Sequence, residues 1–158
     1  MKRAIIAIDP GKSGGIASYD GNQILHLKTC PKTVSEMSTI YNNIIVDLTI
    51  NKYQIFTLIE LVHAFPSDGR SSLAKFMINY GEWRGIITSE SLSEPFTVNP
   101  ATWMDYYSKN RPKNKTERKR YLKLLASKLF PENKITLKTA DAVLIAKYGF
   151  EGYKWDLE

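Results

Sequence analysis

Three carboxylates stand where this sequence could do chemistry. Asp9 closes the apolar run of KRAIIAID and is followed at once by the glycine-rich turn PGKSGG. Glu60 lies near the end of a second apolar run, IFTLIEL, and Asp141 sits in LKTADAVLIAKYG between Ala140 and Ala142, small residues that let a helix approach a sheet closely. Carboxylates at neighbouring strand ends repel one another, and burial adds a desolvation cost. A divalent cation relieves both, and ligands that offer only oxygen favour Mg²⁺ or Mn²⁺ over zinc. Two such ions ~3.5–4 Å apart activate a water, clamp a scissile phosphate and stabilise the leaving oxygen, which is the chemistry of phosphodiester hydrolysis. Asp in a first helical turn is also favoured by the helix dipole alone. The reading therefore rests on the set of three and not on Asp141 by itself.

Such a set works only if the chain brings its members together. The apolar run from Arg3 to Asp9 hardly alternates, which predicts a strand buried on both faces. Gly15–Tyr19 and Gln23–Thr29 read as two further strands, joined at Asp20-Gly21 as a tight hairpin. Thr33 to Glu36 has capping-box spacing, and Val34, Met37, Tyr41, Ile44 and Leu48 recur at helical intervals over 33–49. Ile55–Leu61 predicts a buried strand, and Leu73, Phe76, Met77 and Tyr80 a helix closed by Gly81, with most of that stripe in the core. Gly85–Thr88 reads as a short strand, and SESLSEPFTVNPATW as a looser stretch in which Trp103 packs the connection onto the sheet. A helix from Thr116 turns Leu122, Leu125 and Leu129 inward, and a last one from Thr139 to Tyr148 has Gly149 as its C-cap.

This order gives a mixed α/β sheet, a three-strand antiparallel meander plus two parallel strands, flanked by helices. It is the element order of the ribonuclease H-like fold, whose first and fourth strands lie side by side. Parallel pairing there would bring Asp9 and Glu60 to one edge of the sheet.

The 158 residues are expected to form a single domain, 1–158, with 43% hydrophobic and 24% charged residues. No apolar run nears the ~18 residues of a membrane span, and the N-terminal run is shorter than a secretory signal core. Lone Cys30 makes no internal disulfide, and no Cys/His cluster suggests zinc. The net charge of +6 favours anionic partners. Lys109, Arg111, Lys113, Lys115, Arg118, Lys119 and Arg120 are opposed only by Glu117, the footprint of a phosphate-backbone contact. A solvated helix start would carry the same charges. Lys115, Arg118 and Lys119 are the preferred phosphate contacts, on a helix whose opposite side is apolar. GKSGG is no P-loop, because the required first glycine would fall at Ile6.

The segments IDPGKSGGIA, IELVHAFP, SLAKFMINYGEWRGII, NPATW and TADAVLIAKYG, in this order, resemble the RuvC-like Holliday junction resolvases, and among them the short phage-borne branch. The resemblance runs from about Ile5 to Gly149. It implies a homodimeric, metal-dependent endonuclease of DNA recombination and repair that nicks four-way and other branched DNA, in the cytoplasm of a bacterial or phage-infected bacterial cell. It implies Asp9, Glu60 and Asp141 as ligands of two Mg²⁺ (or Mn²⁺) ions, with no small-molecule cofactor and no membrane partner. The stripe of Leu73 to Tyr80 falls on the helix that forms the dimer interface in that family.

The family's fourth acidic position falls on Lys138, where Asp or sometimes His is usual. Lysine there would repel a second cation. It could hold a phosphate or stand in for one metal's charge, it could mark a catalytically weakened DNA-binding protein, or the helix begins one residue off this match and Lys138 points to solvent. The resemblance also gives Phe65 a part in stacking on junction bases, against a plain core role, with His63 beside it as an incidental loop residue or a DNA contact. Arg70 follows in a turn whose amides could meet a phosphate. With Lys113 these complete the expected DNA contacts. An actin-like ATPase shares the opening strand, Asp and hairpin, but needs two such subdomains and far more chain.

Overall fold

A computed structural model describes residues 2–62 and 69–155. Its elements are β1 (Lys2–Asp9), β2 (Gly15–Tyr19), β3 (Ile24–Thr29), α1 (Val34–Ile50), β4 (Tyr53–Glu60), α2 (Arg70–Ser91), β5 (Phe96–Val98), α3 (Pro100–Tyr107), α4 (Lys115–Leu129) and α5 (Ala140–Glu151). The strands form one sheet in the order β3-β2-β1-β4-β5. β1 pairs antiparallel with β2 and parallel with β4, and β5 joins β4 in parallel. The mixed five-stranded sheet expected from the sequence is thus present, with β1 and β4 adjacent.

Each face of the sheet buries its own core. Ile5, Ala7, Phe56 and Leu58 pack under α3, α4 and α5, with Trp103, Leu122, Ala126 and the Ala142–Ala146 run. Ile6, Ile8 and Ile59 pack under α1 and α2, with Met37, Tyr41, Leu48, Trp83 and Ile87. Alternation along β1 explains the division, since successive side chains leave opposite faces. Both faces are covered, so the run from Ala4 to Ile8 is apolar throughout.

Local signals fared unevenly. The capping box forms, with Glu36 N–H donating to Thr33 Oγ1 and Thr33 N–H donating to Glu36. The hairpin is wider than a two-residue turn: only Gly21 has positive φ, and Asp20 closes the turn by accepting from Asn22 N–H and Gln23 N–H at 2.9 Å each. α2 does not stop at Gly81, and Gly85–Thr88 is helix, not strand. Tyr80, Trp83 and Ile87 continue the three-and-four spacing and are buried, which outweighs the ~1 kcal/mol helix cost of each glycine. The fifth strand comes instead from the stretch read as loose, at Phe96–Val98. Met77 is not core but 44% exposed, and Leu73 and Phe76 are only partly buried. In α4 Leu122 and Ala126 are buried and Leu125 packs against the same core partly buried, while Leu129 is exposed. Gly149 lies inside α5, whose C-cap is Gly152. Its role is close approach: a Cβ there would meet Ile5 Cγ2 at 2.8 Å and Leu58 Cδ2 at 3.1 Å.

The turn after Asp9 is tied to α2. The buried Gly11 donates its N–H to Asn79 Oδ1 at 2.6 Å, and the Phe76 ring packs where a side chain at Gly11 would stand. Asn79→Ala leaves that amide without its acceptor, and the expected loss is about 1–3 kcal/mol in urea unfolding. An unchanged midpoint would show that water replaces the bond freely.

Candidate nuclease site

The site is assembled by strand register. Ile8 pairs with Ile59 across the parallel β1–β4 ladder, so the next residues, Asp9 and Glu60, end their strands side by side. Both strands alternate, and Ile8 and Ile59 face α1 and α2. Asp9 and Glu60 therefore take the other face, with Ile5, Ala7 and Leu58, beneath α5. Asp141 is the second residue of that helix. Ala140 and Ala142, both buried, keep α5 against the sheet, and so does Gly15, where a Cβ would meet Lys138 O at 2.8 Å.

The three carboxylates act on one another. Burial pushes the Asp9 carboxyl well above the usual carboxylate range, and the charges of Glu60 and Asp141 push it further, against Lys119. Glu60 is raised to about 7, chiefly by burial and also by Asp141, against a hydrogen bond from Trp103 and the charge of Lys119. Burial raises Asp141 as well, while Lys119 and Arg118 pull it back. Without a cation the cluster thus holds protons more tightly than free carboxyls do. Among the described residues, no three His, Cys, Asp or Glu side chains converge closely enough to hold a metal ion as they stand. The donor chemistry nonetheless suits a hard cation: oxygen ligands only, with negative charge that nearby residues offset incompletely.

Lys119 sits apart from its basic neighbours. The basic residues of α4 were expected opposite its apolar side. Lys119 instead precedes Leu122 and Ala126 by three and seven residues, so it opens the buried stripe and faces the carboxylates. Arg118 lies next to it, only partly exposed, and donates to Lys113 O at 2.8 Å. Lys113 and Lys115 are exposed where α4 begins, behind the N-cap Asn114. Arg111 is engaged by Asp105 and by Ser108 O. Lys138 is exposed just ahead of α5, and it is Lys119 and Arg118 whose charges act on the carboxylates. Arg70 is exposed at the first position of α2. His63 and Phe65 lie outside the described residues.

One contact to the site had no signal in the sequence beyond the presence of a tryptophan. Trp103 Nε1–H donates to Glu60 Oε2 at 2.5 Å. The residue does pack against the sheet, as expected, at 1% exposure, but its one polar atom is spent on the carboxylate.

No family model and no curated protein sequence matches the chain. Solved structures do match. Thermus thermophilus RuvC in complex with a Holliday junction substrate superposes with a TM-score of 0.58 at 14% identity, over 92% of this chain and 91% of that one. A second T. thermophilus RuvC structure gives a TM-score of 0.55 at 16% identity, over 94% of this chain and 96% of that one. At these identities the likeness is one of architecture, and it extends over nearly the whole length of both chains. The protein has the fold of RuvC.

Proposed function

We propose that the protein is a divalent-metal-dependent endonuclease that nicks four-way and other branched DNA as a symmetric dimer. The observation that carries the proposal is the in-register pairing that ends β1 and β4 at Asp9 and Glu60, on the face where α5 presents Asp141. These residues would hold Mg²⁺ or Mn²⁺, which supplies an activated water and charge for the leaving oxygen. Lys119 holds positive charge beside all three carboxylates. The Holliday junction held by the T. thermophilus neighbour supports the substrate class.

A dimer suits a junction, which is resolved by cuts at two related sites. α2 supplies a face for it. Met77 and Ile78 are 44% and 61% exposed, and Gly81 and Gly85, on the same side, would carry a Cβ with nothing within 4 Å. A second helix can come close there.

The test is a labelled four-way junction incubated with the protein and Mg²⁺ or Mn²⁺, expected to yield symmetric nicks. Lys113→Ala and Lys115→Ala are each expected to weaken junction binding and to flatten the plot of log affinity against log salt by about 1. Lys138 favours a second reading, a branched-DNA-binding protein of weakened catalysis, because its residue type departs from the acidic position of the resembled family. If neither the parent nor Lys138→Asp cuts while both bind tightly, that reading replaces the first.

A further inference from the structure

We infer that Trp103 is a positioning residue of the metal site, fixing Glu60 so that one carboxylate oxygen is committed to the indole and the other left for the cation. The inference rests on the nuclease reading for its consequence, but its geometry stands apart. The Nε1–H of Trp103 meets Glu60 Oε2 at 2.5 Å, and the indole is 1% exposed. Indole nitrogen donates and never accepts, so the contact always asks the same thing of Glu60, an oxygen lone pair. With one Oε2 lone pair engaged, Oε1 is the oxygen of Glu60 that the indole leaves wholly open to an incoming ion.

The chain around Trp103 is built to hold this contact. β5 pairs Val98 with Glu60 itself, and Leu61 N–H donates to Val98 O at 2.8 Å. α3 then starts at Pro100, whose fixed φ suits a first helical position, and brings Trp103 back over the strand end within one turn. The indole has an aromatic neighbour as well. Tyr107 lies against it edge-on, with centroids 6.5 Å apart, and donates its hydroxyl to Leu144 O at 2.6 Å. Leu144 is in α5, one turn beyond Asp141. The contact thus ties the β4 ligand to the helix that carries Asp141, through Trp103 and Tyr107. A tryptophan needed only as core filler could point its N–H at any carbonyl of this crowded face. This one points at a site carboxylate.

Partners that orient a metal ligand are worth about 10–100-fold in metal affinity or activity. Trp103→Phe keeps a large aromatic ring and removes the donor. In Mn²⁺ titrations of the DNA-free protein, it is expected to bind at least about tenfold more weakly than the parent. Its cutting should recover at high Mn²⁺, the pattern of a weakened ligand and not of a lost one. A second readout uses the unaltered side chain. The Trp103 indole N–H resonance should exchange slowly with solvent, move upfield in Glu60→Gln, and broaden early in the Mn²⁺ titration.

Equal Mn²⁺ affinity in parent and Trp103→Phe overturns the inference and leaves the nuclease reading intact. If Trp103→Phe does not fold, an indole resonance that exchanges rapidly and ignores Glu60→Gln overturns it instead. A parent that neither binds Mn²⁺ nor cuts, with a protected indole that does follow Glu60→Gln, keeps the clamp and removes the nuclease.

Discussion

The Asp9→Asn protein is expected to nick no four-way junction and yet, without metal, to melt at a higher temperature than the parent at about pH 8. The two effects have one cause. Asp9 is 7% exposed, and its carboxyl is held well above the usual range by burial first and by Glu60 and Asp141 after that. A group whose folded pKa is raised contributes stability that is whole below its unfolded pKa and is lost as pH rises through the folded value. For Glu60 that window runs from the ordinary 4.5 to about 7. Asp9 and Asp141 shift in the same direction. The metal-free parent should therefore melt lower at about pH 8 than at about pH 5, by an amount on the order of 1–3 kcal/mol from Glu60 alone. Mg²⁺ or Mn²⁺ should restore the loss at the higher pH and do little at the lower.

Asparagine is uncharged throughout, so it escapes this loss and relieves the repulsion felt by its neighbours. Under the proposed function it also removes a charged ligand of the cation, for which a fall in nicking on the order of 10³-fold or more is expected. Thermal melts at both pH values, with and without metal, and junction nicking by the same preparations measure both effects. An Asp9→Asn protein that still nicks at near-parental rates would sink the metal-site reading. One that melts lower than the parent at about pH 8 would show that Asp9 contributes more by its contacts than it costs by its charge.

Gly15→Val should damage both the fold and the site. Gly15 is the first residue of β2, paired with Asp9, and it sits between two backbone segments. A Cβ there would lie 2.8 Å from Lys138 O, 3.0 Å from Lys28 O and 3.3 Å from Thr139 Cα. None of these is the end of a flexible side chain. The strand or the start of α5 has to move, at a cost of about 1–3 kcal/mol or more. Because Asp141 follows Thr139 by two residues, the displacement reaches the site. The variant should lose Mn²⁺ affinity and nicking even at temperatures where circular dichroism reports it folded.

Gly149→Ala is the matched control, since it presses on Ile5 Cγ2 and Leu58 Cδ2 nearer the other end of the same helix. It should lower stability but leave metal binding closer to the parent's. Equal loss of Mn²⁺ affinity in the two variants would mean that α5 moves as one rigid body.

Much of the site was legible in the residues. An unbroken apolar run has only one comfortable environment, a strand covered on both faces, and a carboxylate at its end must emerge at the sheet edge. Two such runs of parallel direction then suffice to bring Asp9 beside Glu60, and capping and periodicity mark α1 by purely local means. Tertiary structure decided what local pattern cannot carry. Gly81 looks like a stop and Gly85 like the start of a strand, and only the burial of Trp83 and Ile87 keeps α2 going. Seven basic residues crowd one segment, and the docking of α4 through Leu122 and Ala126 selects Lys119 to face the carboxylates. A tryptophan reads as core in any sequence, and its N–H found Glu60 only because β5 and α3 fold back over the end of β4. Periodicity specifies which face of an element is buried. Which polar atom meets which across that face is set by packing between elements distant in the chain.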